Sequence, residues 1–220
     1  MIPLGDASRR PMNFAFMTTL VIAINIIVFI LELAGGDEFV KSWSAIPADI
    51  TVGHHLLTVL TSMFLHGGWM HIIGNMVFLW AFGPEIEDVM GPWRFLAFYL
   101  VGGVVAMVAQ ILANPASTVL MLGASGAIAA VMGGFLVTYP RDRIRTLLFF
   151  GFFVTVAFVP AALLIGVWFV LQILSASAGA ITDMDMGGVA YLAHIGGGIF
   201  GAVTVRWFED PQRIVGRTDW

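Results

Sequence analysis

Long apolar runs constrain this chain more than any other feature of its sequence. The first extends from Phe14 to about Ala34, and about 20 apolar residues are enough for a helix to cross the hydrocarbon core of a bilayer. Of the 220 residues, 59% are apolar and only 11% are charged, which is far from the usage of soluble domains. The pattern predicts an all-α membrane protein in which residues 1–220 form a single membrane domain.

The distribution of charge decides how many spans this pattern contains. Residues 147–179 are nearly all apolar but too long for one span, and Pro160 interrupts them. We therefore interpret residues 147–159 as a segment that lies in the interface or dips into it. With both termini in the cytoplasm, nine arginines fall on the cytoplasmic side and Lys41 alone falls outside, as the positive-inside rule expects. The sequence thus predicts a six-transmembrane-helix bundle with both termini cytoplasmic and spans near residues 14–34, 64–82, 94–113, 124–139, 160–177 and 188–208.

The composition excludes several kinds of site. The chain has no cysteine, which rules out disulfides, thiol nucleophiles and cysteine-based metal centres. Its net charge of −4, with the few basic residues scattered, lacks the basic patch that binds nucleic acid. We therefore expect no nucleic-acid partner.

Most of the remaining polar residues have simple structural interpretations. Residues 35–61 mix aromatic and polar side chains and are expected to form a long loop at the membrane interface. The acidic stretch 85–88 is expected to be a solvated turn with local ion pairs. In the first span, Asn25 is interpreted as making an interhelical hydrogen bond and Glu32 as an interfacial side chain. Gln110 and Gln172 are given structural roles of the same kind.

A serine between glycines, in Gly123-Ala124-Ser125-Gly126, begins the fourth predicted span. Glycine lets other groups approach the backbone closely, although such clusters are also common where membrane helices pack tightly. In the predicted topology the second, fourth and sixth spans all enter from the outer face, and their first turns lie at one depth. Those turns carry His71 and Asn75, Ser125, and His194. Ionisable residues inside a membrane are costly and usually mark function.

These residue types suit acyl transfer. A serine hydroxyl needs a neighbouring imidazole to take its proton, and the anionic intermediate needs fixed hydrogen-bond donors. Ser125 and His194 fit the first requirement, whereas Asn75 and His71 fit the second. No carboxylate is expected at this depth, so the sequence predicts a Ser-His dyad. Small residues on the two spans, at Ala129, Gly133, Gly197 and Gly201, are expected to bring the helices into close contact.

A metal site is the competing interpretation of the histidines. His66, His71 and His194 supply imidazole ligands, but no acidic or sulfur ligand accompanies them and the serine would have no role. We expect neither a metal nor another cofactor.

Four motifs appear in a fixed order along the chain: His66-Gly-Gly-Trp-Met-His71-Ile-Ile-Gly-Asn75, Gly-Pro-Glu-Ile-Glu87, Gly123-Ala-Ser125-Gly126 and Ala193-His194-Ile-Gly196-Gly197. In these motifs the chain resembles the rhomboid family of intramembrane serine proteases. The resemblance implies that Ser125 is the nucleophile and His194 the general base. It also implies an oxyanion hole made of Asn75, His71 and the Ser125 backbone N–H, with His66, Gly123 and Gly126 supporting the site. Some relatives carry an aromatic residue four positions after the serine, where this chain has Ala129, so the means of holding the His194 ring stays open.

The predicted function is intramembrane proteolysis. We expect the chain to cleave transmembrane or juxtamembrane segments of single-pass membrane proteins near the outer leaflet. Its active site would face the extracytoplasmic side of a bacterial cytoplasmic membrane, with membrane lipid around it, while the sequence does not indicate an oligomeric state. One alternative is a non-catalytic relative that binds transmembrane clients. A small transporter is disfavoured because the polar residues lie near the outer face and no inverted repeat is visible.

Overall fold

The computed structural model describes residues 1–151, 153–182 and 190–214, and most of these residues are helical. Two helices, Phe16–Trp43 and Pro92–Ala113, are long and apolar enough to cross a membrane, and shorter apolar helices cover Ser125–Thr138 and Ala161–Ser177. The count of six spans and the cytoplasmic placement of the termini stay predictions. The α-helices are α1 (Phe16–Trp43), α2 (Pro47–Thr51), α3 (Thr58–Thr61), α4 (Trp69–Met90), α5 (Pro92–Ala113), α6 (Ser125–Thr138), α7 (Ala161–Thr182), α8 (Tyr191–Phe208) and α9 (Pro211–Ile214).

The first and second predicted spans differ from the helices at their ends. A kink at Gly36, with φ 62° and ψ −159°, lets α1 continue to Trp43, so residues 35–61 are largely helical rather than one long loop. Helix α4 begins at Trp69 rather than near residue 64, because residues 62–64 form a 3₁₀ turn and Gly68 has φ 152°. The first two residues of the predicted sixth span, 188–189, lie outside the described residues.

The acidic stretch 85–88 is not a solvated turn. It lies within α4, and the side chains of Glu85, Glu87 and Asp88 are buried. Glu87 accepts hydrogen bonds from the backbone N–H of Met17 at 2.8 Å, and from the backbone N–H and hydroxyl of Thr18, both at 2.7 Å. The first N–H groups of a helix have no acceptor within the helix. Glu87 therefore caps α1 from a neighbouring helix.

Removing this cap is expected to destabilise the fold. Glu87→Ala leaves three donors buried without their acceptor, and we expect the free energy of unfolding to fall by about 3 kcal/mol. Thermal unfolding in detergent micelles measures the change. The control is Glu38→Ala, which removes an exposed carboxylate on α1 and should leave the unfolding temperature unchanged. Equal unfolding temperatures for the two variants would contradict the capping role.

The fold is mostly helical rather than all-α, because residues 147–159 belong to a β-hairpin. The hairpin is β2 (Arg143–Phe150) and β3 (Phe153–Pro160), and β1 (Ile2–Asp6) adds to it in the order β1-β2-β3. Both pairs of strands are antiparallel, with Leu147 opposite Val156 in one pair and Ile2 in the other. Valine, threonine and phenylalanine favour strands, and Gly151, in the turn between β2 and β3, has φ 61°. The expected position of this segment at the membrane interface stays a prediction.

Helix α6 lies at the centre of the bundle and contacts α8 closely. Every residue from Gly126 to Phe135 is buried. A Cβ atom added at Gly201 would lie 1.9 Å from the Ala130 carbonyl oxygen, and one added at Gly197 would lie 2.2 Å from that of Gly126. The structure thus contains the expected small-residue contact between these helices, made through Gly126 and Ala130 as well as Gly133. This contact brings the first turns of α6 and α8 together.

Candidate active site

The segment before α6 holds Ser125 in place through backbone contacts. Ala45 and Met121 exchange two backbone hydrogen bonds, of 3.0 and 2.7 Å, and the Gly123 N–H donates to the Ser62 carbonyl oxygen at 2.8 Å. Gly123 has φ 124°, and a Cβ there would lie 2.7 Å from His71 Nε2, so both the backbone conformation and the space require glycine. Because α6 begins at Ser125, the serine N–H lies among the helix N-terminal donors that lack an intrahelical acceptor.

Ser125 and His194 are in hydrogen-bond contact. The serine Oγ lies 2.7 Å from His194 Nε2, and the histidine, in the first turn of α8, is 7% exposed. An imidazole nitrogen at this distance can accept the hydroxyl proton. The structure therefore brings together the two residues that the sequence analysis assigned to nucleophile and base.

Two further contacts to the His194 ring come from α7. Gln172 Oε1 lies 2.8 Å from His194 Nδ1, and the Trp168 ring lies 5.3 Å from the imidazole, centroid to centroid, with 41° between the planes. From the sequence, Gln172 was expected to have only a generic structural role, and the support of the ring was left open. A signal was present, since residues four apart lie on one face of a helix and Gln172 is a polar residue within an apolar run.

His71 and Asn75 supply donors on one face of α4. The Gly67 N–H donates to His71 Nδ1 at 3.3 Å, so in the neutral ring the proton lies on Nε2, which faces Gly123. Asn75 is buried, and its Nδ2 has no hydrogen-bond partner within the described residues. A Cβ added at Gly123 would lie 3.8 Å from this nitrogen. Two donors therefore face the segment that carries the serine, as an oxyanion would require.

His66 lies behind these donors. It is 1% exposed, its ring packs edge-on against His71 with 5.1 Å between centroids, and its backbone N–H donates to both carboxylate oxygens of Glu32 at 2.9 and 3.1 Å. Glu32 is thus buried, and the expectation of an interfacial side chain is wrong. Because the contact is to the backbone, Glu32 positions the segment before α4. Among the described residues, no three histidine or acidic side chains are grouped to hold a metal ion.

A small cavity of about 30 Å³ adjoins Ser125. This volume holds about two water molecules. Its lining combines methionines with small residues: Met63, Gly103, Ala106, Met107, Met121, Leu122, Gly123, Ser125, Gly126, Ala127, Ala190 and Ala193.

Comparison with known proteins gives a consistent family assignment. The family model described as Rhomboid domain matches residues 53–208. The chain is 29% identical over 175 residues to presenilin-associated rhomboid-like protein A, mitochondrial, of Danio rerio, covering 74% of this chain and 39% of that protein. It is 32% identical over 130 residues to rhomboid protease GluP of Bacillus subtilis, covering 57% and 25%.

A third relative is matched over nearly the whole chain. Rhomboid protein 1, mitochondrial, of Saccharomyces cerevisiae is 28% identical over 211 residues, covering 94% of this chain and 56% of that protein. The chain spans between a quarter and somewhat over half of the length of these three relatives.

Proposed function

The chain belongs to the rhomboid family, whose members are embedded in membranes, and we propose that it is an intramembrane serine endopeptidase. It would cleave transmembrane or juxtamembrane segments of single-pass membrane proteins through Ser125 and His194. The observation that carries this proposal is the 2.7 Å contact between Ser125 Oγ and His194 Nε2. A buried imidazole hydrogen-bonded to a hydroxyl at a helix N-terminus is an arrangement for activating a nucleophile. The relative named a rhomboid protease, from B. subtilis, supports the same chemistry.

In the proposed reaction Ser125 Oγ attacks the carbonyl carbon of the scissile peptide bond while His194 Nε2 takes the hydroxyl proton. The tetrahedral intermediate collapses to a serine ester as the imidazolium returns that proton to the leaving amine. Water then attacks the ester, with His194 again accepting and returning the proton. The products are two peptide ends and the regenerated serine.

The carbonyl oxygen becomes negatively charged in the intermediate and needs donors. His71 Nε2–H, Asn75 Nδ2 and the Ser125 backbone N–H are the proposed oxyanion hole, with His66, Gly123 and Gly126 holding its parts. The unpartnered state of Asn75 Nδ2 supports this role, because buried donors in folded proteins are nearly always paired. The positive end of the α6 dipole lies beside the same oxygen.

The proposal extends to topology and substrate. Six spans, α1 and α4 to α8 of one domain, would place both termini in the cytoplasm and the site toward the extracytoplasmic side of a bacterial cytoplasmic membrane. The position of a basic residue supports this orientation. Ser125 and His194 lie at the beginning of α6 and α8, whereas Arg206, which pairs with Glu209 at 3.0 Å, lies at the opposite end of α8. The small cavity beside Ser125 favours substrates with a small residue at the cut.

The direct test uses the unaltered chain in lipid vesicles with a single-pass reporter. We expect cleavage next to an alanine in the outer part of the reporter span, cleavage reduced at least about tenfold when phenylalanine replaces that alanine, and covalent labelling of the protein by a fluorophosphonate. Peptide mass spectrometry should locate the label on Ser125. Vesicles treated with the fluorophosphonate beforehand are the control and should not cleave. Binding of the reporter without labelling or cleavage would instead indicate a non-catalytic protein that holds transmembrane clients.

A further inference from the structure

Helix α7 touches the candidate base with two side chains on one face. Trp168 and Gln172 are four residues apart, so one helical turn separates them. The tryptophan ring lies against the His194 ring at 5.3 Å, and Gln172 Oε1 lies 2.8 Å from His194 Nδ1. The opposite ring nitrogen faces Ser125 Oγ at 2.7 Å. The imidazole is therefore held at both nitrogens, by a different helix at each.

The contact at Nδ1 has a consequence at Nε2. A neutral imidazole carries one proton, on either nitrogen. The amide oxygen of Gln172 only accepts hydrogen bonds, so a bond to it requires the proton on Nδ1. Nε2 is then bare and able to accept the proton of Ser125. If the proton were on Nε2 instead, His194 would donate to the serine and could not act as its base.

We propose that Gln172 is the positioning residue that sets the tautomer of His194, in the place where other serine hydrolases use a carboxylate. This inference rests on the proposed function of the Ser125 site. An amide suits a membrane-embedded site because it accepts the Nδ1 hydrogen bond without the cost of burying a second charge. Its oxygen also stays bonded to Nδ1–H after Nε2 has taken the serine proton, when both ring nitrogens are donors. Trp168 limits rotation of the ring about its Cβ–Cγ bond.

Gln110 provides a matched control for Gln172. It is also a glutamine on a helix that packs against α8, and its Oε1 accepts from the backbone N–H of Ala193, next to His194, at 3.2 Å. It thus makes an interhelical hydrogen bond of the same kind without contacting the imidazole. Gln110→Leu removes a structural bond, whereas Gln172→Leu removes a structural bond and the acceptor at Nδ1.

The experiment compares Gln172→Leu, Gln172→Glu and Gln110→Leu with the parent protein in micelles. For Gln172→Leu we expect the rate of fluorophosphonate labelling and kcat for the reporter to fall together by about 10- to 100-fold, with KM little changed. Gln172→Glu keeps an acceptor oxygen at Nδ1 and should recover most of the labelling rate. Gln110→Leu should stay within about threefold of the parent, and thermal unfolding reports how well each variant is folded. Equal labelling rates for the two leucine variants would overturn the proposal.

A second measurement reads the tautomer without turnover. Nitrogen-15 NMR of labelled histidine distinguishes a protonated ring nitrogen from a bare one, and the His194 signals are identified among the five histidines by their loss in His194→Ala. We expect Nδ1–H with a bare Nε2 in the parent, and a mixture of both tautomers in Gln172→Leu. A protonated Nε2 in the neutral parent ring would overturn the proposal. If the parent shows the expected tautomer but neither labels nor cleaves, the proposed protease function fails while the role of Gln172 in holding the ring stands.

Discussion

Replacing Ser125 by alanine is expected to abolish cleavage of a transmembrane reporter, with a loss of at least about 10,000-fold. The substitution removes the only atom that can form the acyl-enzyme ester in the proposed reaction. His194 Nε2 then has no hydroxyl 2.7 Å away from which to take a proton. Fluorophosphonate labelling should disappear with the activity, because the reagent attaches to the same oxygen. Reporter cleavage in vesicles and gel fluorescence after labelling measure the two losses.

The chain supplies a control with the same chemical change. Ser177 is an exposed serine of α7 whose hydroxyl donates to the Ile173 carbonyl oxygen at 2.9 Å, and Ser177→Ala should cleave and label like the parent. His194→Ala should lose nearly as much activity as Ser125→Ala, and the double variant should be no worse than either, since the two residues act as a unit. Cleavage by Ser125→Ala at a rate near that of the parent would exclude the proposed mechanism.

The approach of Ser125 to His194 was predictable because few polar residues lie within the apolar runs. Ser125 and His194 both lie in the first turns of their helices, and small residues on those helices permit close packing. The positions of His71 and Asn75 follow from their spacing of four on a third helix that begins at the same end. The hydropathy pattern predicts where each helix begins, and helical periodicity predicts which residues share a face. The site residues could therefore be selected from the sequence.

Contacts between side chains of different helices could not be predicted in the same way. An acidic stretch near the end of an apolar run usually faces water, and nothing local shows that Glu87 lies against the unpaired N–H groups of α1. Gln172 lies in a run that the sequence identifies as a predicted span. The sequence does not show which face of that helix is turned toward α8. Residues 147–159 are apolar except for Thr155, so hydropathy did not distinguish the observed hairpin from a helix.

Substitution of Asn75 is expected to lower the activity without lowering the stability of the fold. The Asn75 Nδ2 is buried and has no protein acceptor within the described residues, so this nitrogen contributes no protein hydrogen bond to the folded state. In the proposed reaction the acceptor is the oxyanion, so the donor gains a charged partner in the transition state and adjacent intermediate. Asn75→Leu has a side chain of similar size without the amide. We expect cleavage to fall by about 100- to 1,000-fold, while the unfolding temperature stays the same or rises.

Asn25 serves as the control for the chemical change. It is also a buried asparagine, on α1, whose Nδ2 donates to the Val21 carbonyl oxygen at 2.7 Å while its Oδ1 has no partner within the described residues. Because Asn25 lies outside the candidate site, Asn25→Leu should leave the activity per folded molecule near that of the parent. Activity of Asn75→Leu within about threefold of the parent, or a clear fall in its unfolding temperature, would show that Asn75 is structural. The predicted result identifies a donor without a protein acceptor as a group held in place for a charge that exists only during catalysis.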